Sequence, residues 1–400
     1  MQYVFILGRE PLLSLAEITS VLNRKFISYK LKAWQKPFCV IETPTALIAN
    51  DLMQDLGGTI KIAEIFSTIE AAGDKNNLTV SLQKSILNFL QKKGATDKKV
   101  FFGLSFYQQE QNKFNSKNWG LEIKNKLKDL NINSRLVTSL ESILSAVTVK
   151  KNKLLSERGA EIILLPVGNQ FFLAVTLAVQ PFEEFSQRDF GRPGRDAFSG
   201  MLPPKLAKIM LNLAEAKPEE TILDPFCGSG TILTEALILG YPNLIGSDIS
   251  AKAINDTQQN IDWLKSSVTT TITKVSLLNV NVQELDKKLN KKVDCIVTEP
   301  FLGKPLTGHE SPQEIEKQCL ELKNLYEQAF RVFSQILKKG GRVIFIFPRF
   351  QIHQKTFSTN INKKIEEMGF KSLPLLDQEF LNYERPGQKV AREIWRFKKN

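Results

Sequence analysis

Two clusters of side chains in this 400-residue chain have the types and spacing of working chemistry. The first is DPFCGSGT, in which Asp224 precedes a turn carrying Gly228 and Gly230, and Thr231–Leu239 follows as an apolar-faced helix. The two glycines let the backbone approach a ligand and adopt torsions closed to other residues, and a helix N-terminus favours an anionic group. A ligand bearing a carboxylate or phosphate is expected there. The second is VDCIVTEPFLGKPLTG, where an apolar strand runs into Glu299, Pro300, Phe301 and Gly303. Whether that strand end is a working catalytic site decides whether the chain is an enzyme.

The first cluster lacks the third glycine of a dinucleotide-binding G-x-G-x-x-G turn, because Gly228-Ser229-Gly230 is followed by Thr-Ile-Leu. S-adenosylmethionine (SAM) accounts for it better. Its amino group is cationic and suits Asp224, and its carboxylate can face the turn amides. Downstream, NLIGSDIS reads as a second strand ending in Asp248, an acid placed to accept both ribose hydroxyls.

These residues need a scaffold of alternating strands and helices, which the sequence supplies from Pro203 onward. Thr221–Leu223 is a buried strand, and Leu206–Ala214 a helix opened by Pro203 and Pro204, where a missing N–H is harmless. Arg342–Phe347 and Glu393–Phe397 read as the fifth and last strands, the last forming an antiparallel edge. The first 180 residues alternate short apolar runs with amphipathic segments. Tyr3–Leu7, Phe38–Glu42 and Lys61–Ser67 read as strands, with helices at Ser14–Leu22 and Thr45–Leu56, the latter capped by Thr45. This resembles a small ferredoxin-like α+β module. After the polar linker Ala71–Asn77 come helices at Leu82–Gln91 and Trp119–Leu130. Strands follow at Val100–Phe106, Arg135–Thr138, Glu161–Pro166 and Phe171–Val179, the last two paired through Gly168-Asn169. Gln187–Leu202 is too rich in Arg, Gly and Pro for a regular helix and reads as a connector with structured turns.

Composition narrows the partners. The formal net charge is +12, and residues 1–180 carry 23 Lys and Arg against 15 Asp and Glu, so the excess sits mainly in the N-terminal part. A polyanion is the expected partner, since each neutralised phosphate releases counterions. Lys150, Lys151 and Lys153 in the first part, and Arg188, Arg192 and Arg195 in the connector, are its candidate contacts. Cys39, Cys227, Cys295 and Cys319 form no CxxC pair, and His309 and His353 are the only histidines, which argues against a metal site and a disulfide framework. No stretch reaches the roughly 18 apolar residues of a membrane span, and the first apolar run, Tyr3–Leu7, has no basic residues before it and is too short for a signal-peptide core. A cytoplasmic protein is expected.

With DPFCGSGTILTEA, GSDI, Ala253-Ile254 and Asn260, the chain resembles the Rossmann-like nucleic-acid amino-methyltransferases. RDFGRPGRDAFSGMLPPKLAKIMLNLA, the opening FILGREPLLSLAEI and the closing YERPGQKVAREIWRF are similar to the tRNA guanine-10 N2-methyltransferases, which carry a ferredoxin-like domain and an RNA-binding THUMP domain. The resemblance implies an α/β chain. It divides into a ferredoxin-like module at 1–70, a THUMP-like module at 71–182, a linker at 183–200 and a Rossmann-like SAM methyltransferase domain at 201–400. It implies that Asp224, Phe226, Gly228, Gly230 and Thr231 line the methionine end of SAM and that Asp248, with Ile249 beside it, holds the ribose. Met201 and Leu202 close over the ligand, and Asn281 stands where relatives have an acid that meets the adenine amino group. The family's D/N-P-P-Y/F tetrapeptide, which accepts the N–H bonds of a flipped base and stacks on it, falls on Glu299, Pro300, Phe301 and Leu302. Here the acid is longer, the second proline is absent, and the ring is one place forward. The implied activity is methylation of a guanine N2 amine in tRNA, by a monomer or with a helper subunit. The alternatives are ribosomal RNA or another base amine as the target, and an inert SAM- and RNA-binding protein.

Overall fold

β-branched and aromatic runs form strands wherever one face or both can be buried. The computed structural model describes residues 1–71, 75–94, 98–107, 115–195, 201–267, 274–352, 355–384 and 387–400. Residues 72–74 of the expected linker, 196–200 of the connector motif, and His353 lie outside the described residues. The chain forms two units, one of residues 1–11, 27–54 and 59–182, the other of residues 12–26, 55–58 and 183–400.

In the first unit the strands are β1 Gln2–Leu7, β2 Lys30–Gln35, β3 Phe38–Glu42, β4 Thr59–Glu70, β5 Val100–Phe106, β6 Ser134–Val137, β7 Gly159–Val167 and β8 Gln170–Val179. They make one eight-stranded sheet in the order β2-β3-β1-β4-β8-β7-β5-β6. β5 runs parallel to β6 and β7, and the other neighbours are antiparallel. The segments 1–70 and 71–182 thus share a sheet through β4 and β8, and a core in which Val4, Ile6 and Val40 pack with Ile163, Leu165 and Ala174. A buried carboxylate, Glu161, ties the middle strands together. It accepts from Lys61 Nζ and Ser105 Oγ, each at 2.5 Å, and from Thr176 Oγ1 at 2.6 Å. The helix expected from Thr45 begins instead at Ala49 and runs to Asp55, because the preceding residues are held in a turn. Thr43 Oγ1 donates to the Thr45 carbonyl, and Leu47 N–H donates to the Tyr3 hydroxyl.

The second unit contains β9 Thr221–Asp224, β10 Asn243–Asp248, β11 Lys274–Asn279, β12 Val293–Thr298, β13 Leu337–Ile352, β14 Lys355–Ser358, β15 Phe370–Ser372, β16 Phe380–Tyr383 and β17 Val390–Lys399. The main path of its sheet is β11-β10-β9-β12-β13-β17-β15, with β14 paired to β13 and β16 to β17. β9 to β13 are parallel neighbours, and β17 is antiparallel to β13. β17 was expected at the edge. It lies inside, with β15 and β16 on its outer side, in keeping with the burial of most of its residues. One apolar layer carries the helices Pro204–Leu213 and Thr231–Ile238, and the other the long helix Pro312–Ile336. That long helix starts at a capping box between Ser311 and Glu314.

Two further features of this unit were not expected. The helix Phe182–Phe190 runs through Gln187–Phe190, where a connector without regular helix was expected. Burial of Phe185 and Arg188 on one of its faces outweighs the local breaker residues that follow. In addition, the carboxylate of Glu17 is fully buried and accepts from the Gly57 and Gly58 amides and from Asn212 Nδ2. Burial pushes this carboxyl up to about 7.

Candidate active site

The order of the second sheet puts β9 between β10 and β12, whose connections leave in opposite directions. In an open parallel sheet, the crevice outside the carboxyl ends of such strands is where ligands bind. Asp224 ends β9, Asp248 ends β10, Asn281 follows β11 and Glu299 follows β12. A cavity of about 970 Å³ opens there. It is lined by Met201, Leu202, Asp224, Phe226, Gly228, Thr231, Asp248, Ile249, Asn281, Glu299, Pro300 and Phe301, so every residue expected at the cofactor or the reaction meets in it except Gly230.

Gly230 stands behind the cavity as the cap of the helix that opens at Thr231. Its φ of 80° is left-handed, and a Cβ there would meet Thr257 Cγ2 at 2.7 Å. Gly228, with φ of 52°, has open space around it, so only its torsion calls for glycine. The turn is braced from behind. Thr257 Oγ1 donates to the Gly228 carbonyl at 2.7 Å, and Asn260 Nδ2 to the Ser229 carbonyl at 2.8 Å. Asn260 also exchanges two hydrogen bonds of 2.8 Å with the backbone of Gly194, joining connector to turn.

Asp224 is 2% exposed and accepts from Thr298 Oγ1 at 2.7 Å and Phe226 N–H at 3.2 Å. Burial pushes its carboxyl up to about 7. The two hydrogen bonds oppose that rise, and the neighbouring acids Asp248 and Glu299 add to it. Asp248 Oδ2 accepts from Gly228 N–H at 3.0 Å, and its Oδ1 from Ser250 N–H at 2.9 Å, which fixes the carboxylate at the mouth. Asn281 caps a short turn through Oδ1, which accepts from Gln283 N–H at 3.1 Å and keeps a second lone pair.

At the other end of the cavity, Glu299 Oε1 accepts from Arg392 Nε at 2.5 Å, and the two side chains are 11% and 10% exposed. Phe301 is 55% exposed, so its ring is open to a planar partner. Its carbonyl accepts from Tyr326 OH at 2.7 Å, which holds the backbone behind the ring. Gly303 turns the chain at φ of 100°, and Lys304 N–H donates to Gln318 Oε1 at 3.2 Å. His309 is exposed and does not line the cavity.

The cations expected at RNA part company. Lys150, Lys151 and Lys153 are exposed on and just after the short helix Ala146–Lys151 of the first unit. Arg195 is exposed and donates to the Phe190 carbonyl at 3.2 Å. Arg188 and Arg192 do not offer their guanidinium groups to a phosphate. Arg188 is 8% exposed and forks onto Glu235, with Nε to Oε1 at 2.6 Å, and Arg192 is 4% exposed. Arg192 donates through Nη1 to Thr231 Oγ1 at 2.5 Å and through Nη2 to Met201 Sδ at 3.1 Å. Arg192 therefore braces the cofactor turn at Thr231 from inside the fold, and Arg188 holds the helix that follows it at Glu235. The expectation for them is corrected on that ground. Arg392 and Tyr326 were not anticipated at all.

A family model described as the RMKL-like methyltransferase domain matches residues 192–373, and one described as DNA methylase matches residues 21–259. The tRNA (guanine(10)-N2)-dimethyltransferase of Methanothermobacter thermautotrophicus is 31% identical over 186 residues, which are 46% of this chain and 49% of that protein. The probable tRNA (guanine(10)-N2)-dimethyltransferase of Methanothermococcus thermolithotrophicus is 34% identical over 148 residues, 36% of this chain and 80% of that one. This chain belongs to the SAM-dependent tRNA guanine-N2 methyltransferase family. The tRNA (guanine(6)-N2)-methyltransferase of Thermus thermophilus is 28% identical over 178 residues, 44% of this chain and 46% of that one. The chain spans about half the length of the Methanothermobacter and Thermus relatives. The crystal structure of TrmN from Thermus thermophilus covers all of both chains with a TM-score of 0.58 at 17% identity, a likeness of fold.

The methyl donor of this family is SAM, and the residues present fit it. The acids Asp224 and Asp248 face the cavity beside a helix N-terminus, a pattern that answers a zwitterion carrying an additional positive charge.

Proposed function

We propose that this methyltransferase transfers a methyl group from SAM to the exocyclic N2 amine of a guanine in tRNA. The observation that carries the reading is the convergence of Glu299 and Phe301 on the cavity that also holds Asp224 and Asp248. The relatives named above act on guanine N2 of tRNA, which supports the same choice of base and RNA. Bound SAM supplies an electrophilic methyl group on a sulfonium. Asp224 takes its ammonium, the Gly228–Thr231 turn its carboxylate, Asp248 its ribose hydroxyls and Asn281 its adenine amine, while Met201 and Leu202 cover it and Ile249 and Phe226 pack beside it.

The target amine is a poor nucleophile because its lone pair is conjugated with the ring. The Glu299 carboxylate accepts its N–H, which favours a tetrahedral nitrogen, and the base stacks on Phe301 after leaving its helix. Pro300 fixes the backbone between acid and ring. With SAM bound, the amine held by Glu299 would receive its methyl group, S-adenosylhomocysteine would remain as the product, and the amine's surplus proton would pass to solvent. Residues 1–70 and 71–182 serve as the ferredoxin-like and THUMP-like modules that capture RNA, with Lys150, Lys151, Lys153 and Arg195 as contacts. Residues 183–200 link them to the catalytic domain at 201–400. No helix among the described residues is long and apolar enough to cross a membrane. We place the site of action in the cytoplasm, on the reading that the substrate is tRNA.

The experiment is mass spectrometry of tRNA nucleosides from a strain lacking the gene. N2-methylguanosine or its dimethyl form is expected to fall at one tRNA position. An unchanged nucleoside profile in tRNA would contradict the reading, and a loss confined to ribosomal RNA would move the substrate.

A further inference from the structure

The acid at the end of β12 is one methylene longer than the family tetrapeptide's. A longer side chain has one more rotatable bond, and an acceptor that wanders by about an ångström loses on the order of 10²-fold in rate. Something must fix it, and the fold supplies a fixture in β17. Arg392 sits in that strand opposite Pro348 of β13 on one side and Tyr383 of β16 on the other, so its backbone is held from both sides. Its side chain is 10% exposed, and its Nε donates to Glu299 Oε1 at 2.5 Å, a hydrogen bond between two charged groups. Three residues earlier, just before β17, Lys389 Nζ donates to the Thr307 carbonyl, so the lead into β17 grips the loop after Glu299 at a second point.

Resting on the reading of Glu299 as the amine acceptor, we infer that Arg392 is a positioning residue that fixes the lengthened acid in its working orientation. The pair replaces the shorter acid of the family as a unit. Two consequences separate this from a merely structural ion pair. Glu299→Asp restores the family residue yet pulls the carboxylate away from Arg392, so it lowers kcat instead of raising it. Arg392→Ala lowers kcat about 10²-fold while the Kd for S-adenosylhomocysteine stays near wild type; the Tm falls, because a mostly buried carboxylate loses its partner, and it is the Kd that separates the two readings.

The test is a double-mutant cycle of Glu299→Gln and Arg392→Ala, read as single-turnover methyl transfer to unmodified tRNA, with Arg392→Lys and added guanidinium as further arms. In the Glu299→Gln background, Arg392→Ala is expected to add less than a threefold loss. Guanidinium ion is expected to restore part of the activity of Arg392→Ala. Arg392→Lys is expected to remain impaired, because an ammonium cannot take the place of Nε. Equal losses from Arg392→Ala in both backgrounds, or a Glu299→Asp enzyme at least as active as wild type, would overturn the inference. A wild-type protein that transfers no methyl group would instead overturn the proposed function, and the inference with it.

Discussion

Asp224 offers a test that needs no RNA. Its carboxyl is buried and pushed up to about 7, so below that pH the empty site holds a proton that a cationic amino group must displace. The sign follows: binding tightens as pH rises toward 7. For a group with pKa 7, apparent Kd scales as one plus the ratio of proton concentration to acid constant. That factor is about 33 at pH 5.5 and about 2 at pH 7, a tightening of roughly 16-fold. The ligand is S-adenosylhomocysteine, followed by isothermal titration calorimetry in two buffers of different ionisation enthalpy. Near pH 6 about 0.9 proton should leave per ligand bound. The window stops at 7 because the ligand's own α-amino group titrates near 8. Asp224→Asn should bind more weakly and without this dependence. A Kd that stays flat from pH 5.5 to 7 in the wild type, with no proton released, would refute the reasoning.

Other consequences can be checked in parallel. Phe301→Ala should weaken RNA capture in the Michaelis complex by the ~1–3 kcal/mol of one base–aromatic stack, seen as a raised KM for tRNA, whereas Phe301→Tyr should be near wild type. Gly230→Ala should lower Tm and abolish S-adenosylhomocysteine binding, because it sets a Cβ against Thr257 at a left-handed torsion; normal affinity in a calorimeter would contradict this. Glu17 is raised to about 7 in the fold, so its penalty is absent below about 4.5 and complete above 7. Relative to Glu17→Gln, the wild type should therefore lose on the order of 3 kcal/mol of stability as pH rises across that window, in urea titrations at pH 5 and pH 8.

Much of the site could be read from the sequence because its signals are local. Asp224, the two glycines and the helix after them lie within a few residues, and each carries its own torsional or capping logic. What stayed hidden is what depends on distant partners. Arg392 meets Glu299 across 93 positions, and Arg188 meets Glu235 across 47. An arginine in a glycine-rich connector reads as exposed until its buried acid is known. β17 read as an edge strand because β15 and β16 are three and four residues long and show little periodicity. The strand β2, half exposed along KLKAWQ, gave equally little to read. Ser311, Pro312 and Glu314 did carry a legible helix start, which capping chemistry alone would have identified.

The central claim is that the variant tetrapeptide at Glu299 is a working amine site. Its most direct test is incubation of the purified protein with SAM and an unmodified tRNA, followed by nuclease digestion and mass spectrometry of the nucleosides. N2-methylguanosine should form with the wild type and fall at least 10²-fold with Glu299→Ala, while S-adenosylhomocysteine still binds both. No methylated guanosine from the wild type, or undiminished product from Glu299→Ala, would contradict the claim.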